Sequence, residues 1–102
     1  EETSERETPP AFLQKMFSRM QLDQTRALLR AREAELDQEG KRERFQERIN
    51  RLRDDIDRVE VEIESLDDNL DPKSAQSKLQ VLFFQKIKRV EDLIPSLGVD
   101  VR

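Results

Sequence analysis

The chain has no cysteine, no histidine, no tryptophan and no tyrosine, and its 102 residues include only two glycines and four prolines. Each absence removes a class of protein. Without cysteine there is no disulfide framework and no thiolate to act as nucleophile or metal ligand, which leaves the redox compartment open. Without histidine the chain lacks the commonest general base and the commonest metal ligand. The scarcity of glycine and proline means few turns and therefore long elements. No stretch approaches the roughly eighteen apolar residues that a membrane span needs, and no basic leader precedes an apolar run, so the expected setting is intracellular, cytoplasmic or nuclear. The opening Glu-Glu-Thr-Ser reads as a segment cut from a longer polypeptide.

What is present is charge. Charged residues make up 41% of the chain and hydrophobic ones 34%, with a net charge of −4, a balance that suits helices joined along thin apolar seams rather than a thick core or a sheet. The clearest seam is Phe45, Ile49, Leu52, Ile56, Val59, Ile63, Leu66 and Leu70, an unbroken alternation of four- and three-residue steps with almost nothing but charge between them. That period keeps one narrow stripe facing a partner helix.

Start and stop signals divide the rest. Residues 1–8 are a polar linker of net charge −3, Thr8 is the expected N-cap of a first helix over 9–38, and Gly40 separates it from a second over 41–70. Asp71-Pro72 opens a third helix that Pro95 ends near residue 94, leaving 95–102 as a tail out of the domain 9–94. The expected fold class is all-α, an antiparallel coiled coil or three-helix arrangement with long helices, dimeric.

Charge sets the orientation. Residues 41–53 carry a net +4 and 54–71 a net −8, and a parallel in-register pair of these helices would oppose Arg48 to Arg53, Asp55 to Glu60 and Glu62 to Asp67. All three pairs repel, so the second helix wants an antiparallel partner. Helix 1 folded back around Gly40, with residue numbers summing to about 80, offers Leu13, Phe17, Met20 and Leu28 to the seam, and helix 3 offers Leu79, Phe83, Ile87 and Val90. Leu22, Leu29 and Leu36 then form a second stripe, a candidate partner or dimer surface with an equal claim to pack on helix 3. The lone Gly40, with no Pro, Asn or Ser beside it, makes an indifferent helical turn and favours residues 9–70 as one long helix exchanged between two chains.

Two segments suggest other binding modes. Phe12, Leu13, Met16, Phe17 and Met20, interleaved with Lys15 and Arg19, resemble a membrane-surface or helix-gripping stretch, although the register above assigns them to the core. The cluster Lys41, Arg42, Arg44, Arg48, Arg51 and Arg53 lacks interleaved aromatics for base stacking, and the reading is against nucleic acid as it is against membranes. The acidic run from Asp54 to Glu64 has no turn to converge oxygen ligands, so neither metal nor cofactor is expected. No enzyme is expected either. The expected function is a non-enzymatic coiled-coil oligomerisation and scaffolding module that forms a homodimer and docks partner proteins. The alternative is a monomeric helical bundle that receives a partner protein or helical peptide on an exposed apolar stripe.

Overall fold

The computed structural model describes residues 8–99, and among them every regular element is helical. Helix α1 spans Ala11–Gln38, and a 3-10 turn at Glu43–Phe45 leads into α2 over Gln46–Glu64. Helix α3 spans Pro72–Leu82 and continues through a π-helical turn at Phe83–Ile87 into α4, Lys88–Leu93, and a 3-10 turn at Ile94–Ser96. These last four segments form one helical arm, so three arms lie along a body of 55 × 25 × 21 Å. The polar linker expected over 1–8 falls, apart from Thr8, outside the described residues, as do residues 100–102 of the expected tail.

The first arm begins two residues later than its capping signal implied. Pro10 is the N-cap, with extended backbone at ψ 159° and no side-chain cap. Pro9 precedes a proline, which disfavours the helical region for it, and Thr8 is thereby kept away from the first turn. At the third arm the signal operates as written, since the Asp71 carboxylate accepts from the Ser74 N–H at 3.2 Å with Pro72 in the first turn.

Gly40 closes a hairpin, and residues 9–70 are not one continuous helix. The glycine sits at φ +73°, its N–H reaches the Asp37 carbonyl at 3.1 Å, and the Lys41 N–H reaches the Leu36 carbonyl at 2.8 Å. This is a Schellman ending, for which one left-handed residue suffices. Pro, Asn and Ser are therefore not needed for this turn. Helix α2 also ends earlier than residue 70. Asp67, Asp68 and Asn69 favour local side-chain bonding over helix, and the Asp67 carboxylate accepts from the Asn69 N–H at 2.9 Å. Leu66 and Leu70 consequently lie in the connection, half-buried, beyond the helical seam.

One buried cluster runs the length of the body. From α2 it takes Ile49, Leu52, Ile56, Val59 and Ile63, with Phe45 at the preceding turn; from the third arm it takes Leu79, Leu82, Ile87, Val90, Ile94 and Leu97. Phe83 packs against it from the side. From α1 it takes Leu22, Leu29 and Leu36, all within 2% of full burial, and not the face expected from the sequence. Phe17, Met20 and Leu28 are more than half exposed, and Leu13 is half-buried. The ion pairs mark the register that brings this about. Arg26 bonds Asp57 and Glu60, Glu33 bonds Arg53, and Arg19 pairs with Glu64, so opposing residue numbers sum to between 83 and 86. At that offset the seven-residue steps of Leu22, Leu29 and Leu36 fall level with Ile63, Ile56 and Ile49.

The inner face of α1 is only half apolar, and its polar members are satisfied. Lys15 is buried with its ammonium donating to the Leu66 carbonyl at 2.7 Å and the Asp68 carboxylate at 2.9 Å, over the acceptor-rich end of α2. Gln14 donates its side-chain amide to the carbonyls of Pro9 at 2.8 Å and Pro72 at 2.9 Å. The Thr25 hydroxyl lies 3.0 Å from the Glu91 carboxylate. Arg32 clasps the Leu97 carbonyl through two nitrogens at 2.7 and 3.1 Å, and the buried Glu33 carboxylate takes Arg53 at 2.6 Å and Arg42 at 3.4 Å. No buried side-chain nitrogen or oxygen among the described residues lacks a partner. Leu97 is itself fully buried, so the packed region extends past residue 94 into the expected tail.

Candidate protein-interaction surface

Because α1 turns Leu22, Leu29 and Leu36 inward, its other apolar stripe faces outward. Leu13, Phe17, Met20, Gln24, Ala27, Ala31 and Ala34 follow one another in steps of four and three, a second helical seam on the side of α1 away from the bundle. Leu13 is half-buried and the others are exposed. Phe12 and Met16 flank the stripe and are also about half exposed. Four large apolar side chains within nine residues of one helix thus meet solvent. Scattered single exposures are ordinary, whereas a contiguous apolar patch marks a contact surface.

The patch continues onto the third arm. Phe17, Phe83 and Phe84 line a shallow hollow of about 350 Å³, whose polar rim is Gln21, Gln76 and Gln80. Phe83 and Phe84 meet edge to face with centroids 5.0 Å apart, and Phe84 is 66% exposed. The π-helical turn produces this pair. Apolar positions on the third arm step from Leu79 to Leu82 to Ile87, and the five-residue step is accommodated by the widened turn at Phe83–Ile87. Leu82 and Ile87 stay in the core, while Phe84 is displaced outward.

The surface has a particular distribution of size and charge. Its bulky members occupy the N-terminal half of α1 and its alanines the C-terminal half. Asp23 and Arg30 border the stripe seven residues apart, and neither makes an ion pair with another described residue. Leu22, Leu29 and Leu36, a stripe with equal claims from the sequence to a partner surface and to packing within the bundle, are core residues with no part in this surface. Among the described residues no group of acidic side chains is arranged to hold a metal ion, and no helix is long and apolar enough to cross a membrane.

Comparison with protein-family models, with curated proteins and with solved structures finds no match for this chain. Fold and surface define its class by themselves: an all-helical domain of three arms carrying an outward apolar seam on the first.

Proposed function

We propose that this domain is a non-enzymatic self-association and scaffolding module in which two copies pair through the outer seams of α1, running antiparallel. An intracellular setting, cytoplasmic or nuclear, belongs to the same proposal. The observation that carries it is the outward stripe from Leu13 to Ala34, which a second helix would cover.

The two halves of that stripe complement each other under a two-fold axis. With opposed residue numbers summing to 51, Phe17 faces Ala34 of the second copy, Met20 faces Ala31, and Gln24 faces Ala27, so each of these layers sets a longer side chain against a small one, and Leu13 faces Gln38 at the ends. The same symmetry brings Asp23 beside Arg30 of the other copy, twice. A parallel pairing would stack Phe17 on Phe17 and Met20 on Met20 at one end and three alanine layers at the other. The helices would then need a wide separation at one end and a narrow one at the other, which straight helices in close contact do not allow. This coiled-coil pairing differs from the exchanged helix in that each chain keeps its own closed bundle.

Light scattering coupled to size exclusion tests the reading. The expected mass is twice the 12.1 kDa of the chain, shifting toward 12.1 kDa on dilution. Phe17→Ser combined with Met20→Ser should give the monomer mass with unchanged helix content, because both side chains are solvent-facing. A parent chain that runs as 12.1 kDa up to millimolar concentration would overturn self-association and favour a monomeric bundle that receives a different protein on this face.

A further inference from the structure

A second surface lies between α2 and the third arm, lined by no residue of α1. It is a groove of about 570 Å³ with a floor formed by Leu52, Val90 and Leu97. Arg48, Arg51 and Arg58 rise from one wall and Lys86 and Arg89 from the other, against a single acidic residue, Asp55. In a chain with 23 acidic and 19 basic residues, this concentration of positive charge is a local reversal of sign.

Several of these cations have nothing to do within the domain. Arg51, Arg58 and Arg89 make no ion pair with any described residue, while several basic residues that face the other arms are matched: Lys15 with Asp68, Arg19 with Glu64, Arg26 with Asp57 and Glu60, Arg53 with Glu33. Lys86 reaches Glu62 at 3.3 Å, and Arg48 lies over the Phe45 ring at 5.6 Å. Charge neutralisation inside the fold, which accounts for Arg53 and Arg42 through Glu33, does not account for the other three.

We propose that this groove docks an acidic helical segment of a partner protein, one bearing a few aliphatic side chains on one face. The chemistry follows from the two layers of the groove. Arginine forks on both walls suit carboxylates, and Leu93, 41% exposed at the edge of a floor of buried aliphatic residues, offers branched aliphatic carbon. A nucleic-acid strand would want stacking faces among the cations, and no aromatic lines the groove. From Arg48 to Arg58 the wall is about 15 Å long, room for roughly three turns of a bound helix. The site is independent of the α1 pairing and remains open in a dimer formed through that face.

The test uses a fluorescein-labelled 14-residue peptide of Glu, Gln and Ala with Leu at three- and four-residue spacing, followed by fluorescence anisotropy. Two control peptides replace Leu by Gln, or Glu by Lys. The parent chain should bind the Glu/Leu peptide saturably, more weakly as salt rises, and at least tenfold more tightly than either control. Arg51→Glu with Arg89→Glu should weaken binding at least tenfold, and Leu93→Gln, which keeps every charge, should weaken it several-fold. All three positions are exposed, and circular dichroism verifies that the variants fold. The Phe17→Ser, Met20→Ser chain should bind as the parent does, which separates this groove from the α1 face. Unchanged binding by the arginine variants would overturn the proposal. So would equal affinity for the Leu and Gln peptides with ready displacement by tripolyphosphate, which would leave a plain anion site in place of a peptide groove.

Discussion

The Lys15 ammonium donates to the main-chain carbonyl of Leu66 at 2.7 Å, although the two residues are 51 apart in sequence. It holds the first turn of α1 against the carbonyls that α2 leaves unpaired at its C-terminus, and Asp68 supplies a counter-charge at 2.9 Å. Lys15→Met keeps most of the aliphatic stem and removes the donor. Because the stranded acceptors lie near the surface of the connection, the expected loss is about 1–3 kcal/mol, measured as a lower urea midpoint at constant slope. An unchanged midpoint would mean that water replaces the ammonium at no cost.

Adjacent leucines on α1 test which of its faces is the core. Leu29 is 2% exposed and Leu28 is 52% exposed. Leu29→Ala should cost about 2–5 kcal/mol and Leu28→Ala no more than about 0.5 kcal/mol in urea denaturation. The reverse order would restore the face favoured by the sequence.

A carboxylate in the α2 seam should unfold the domain. Ile56 and Ile63 are completely enclosed by apolar neighbours, so Ile56→Asp or Ile63→Asp buries an unpaired charge and should cost several kcal/mol, seen as loss of helical circular dichroism. Glu47→Gln, on the exposed side of the same helix, serves as the control and should melt with the parent.

The two glycines should respond to alanine by different amounts. At Gly40, where φ is +73° and an added methyl meets nothing within 4 Å, the cost is the left-handed conformation alone, about 1–2 kcal/mol. At Gly98, with φ +87°, the methyl would come 2.6 Å from Leu36 Cδ2 and 2.8 Å from the Arg32 guanidinium, adding about 1–3 kcal/mol of overpacking. Thermal melts of Gly40→Ala and Gly98→Ala should therefore rank Gly98→Ala the lower, and equal melting temperatures would rule out the close approach of Gly98 to α1.

Spin labels read the α1 pairing directly. In the antiparallel register, labels on the two copies of position 24 are offset along the axis by only about 5 Å, and those on position 38 by about 38 Å. A parallel pair gives short distances at both positions. That result would discard the proposed register while leaving self-association intact.

These faces and registers differ in how visibly the sequence carries them. The α2 seam from Phe45 to Ile63 is legible because every rung is apolar and nearly all the intervening residues are charged. Helix α1 is harder to read, since it carries two stripes at the same spacing. The outer one holds Phe17 and Met20, whereas the inner one alternates Leu22, Leu29 and Leu36 with Lys15, Ser18, Thr25 and Arg32. Apolarity alone selects the wrong stripe. The inner rungs are tolerable because each buried polar group finds a main-chain carbonyl or a carboxylate, a long-range property that periodicity does not report. One local clue was available in the sequence: the seven-residue steps of Leu22, Leu29 and Leu36 match those of Ile49, Ile56 and Ile63. On the third arm, the step of five from Leu82 to Ile87 is likewise visible, but reading it requires admitting a widened turn within a helix.

An odd number of arms has a mechanical consequence. Gln14 ties Pro9 to Pro72 at one end of the body, and Arg32 ties Leu97 beside Leu36 and the Gly40 turn at the other. The chain therefore enters and leaves at opposite poles of a 55 Å rod. A pull through residues 8 and 99 acts along the helix axes, so the buried rows of Leu and Ile must slide past one another together before the rod lengthens. Force borne that way is resisted by the whole core at once, as in a lap joint, instead of by one helix peeling from its end.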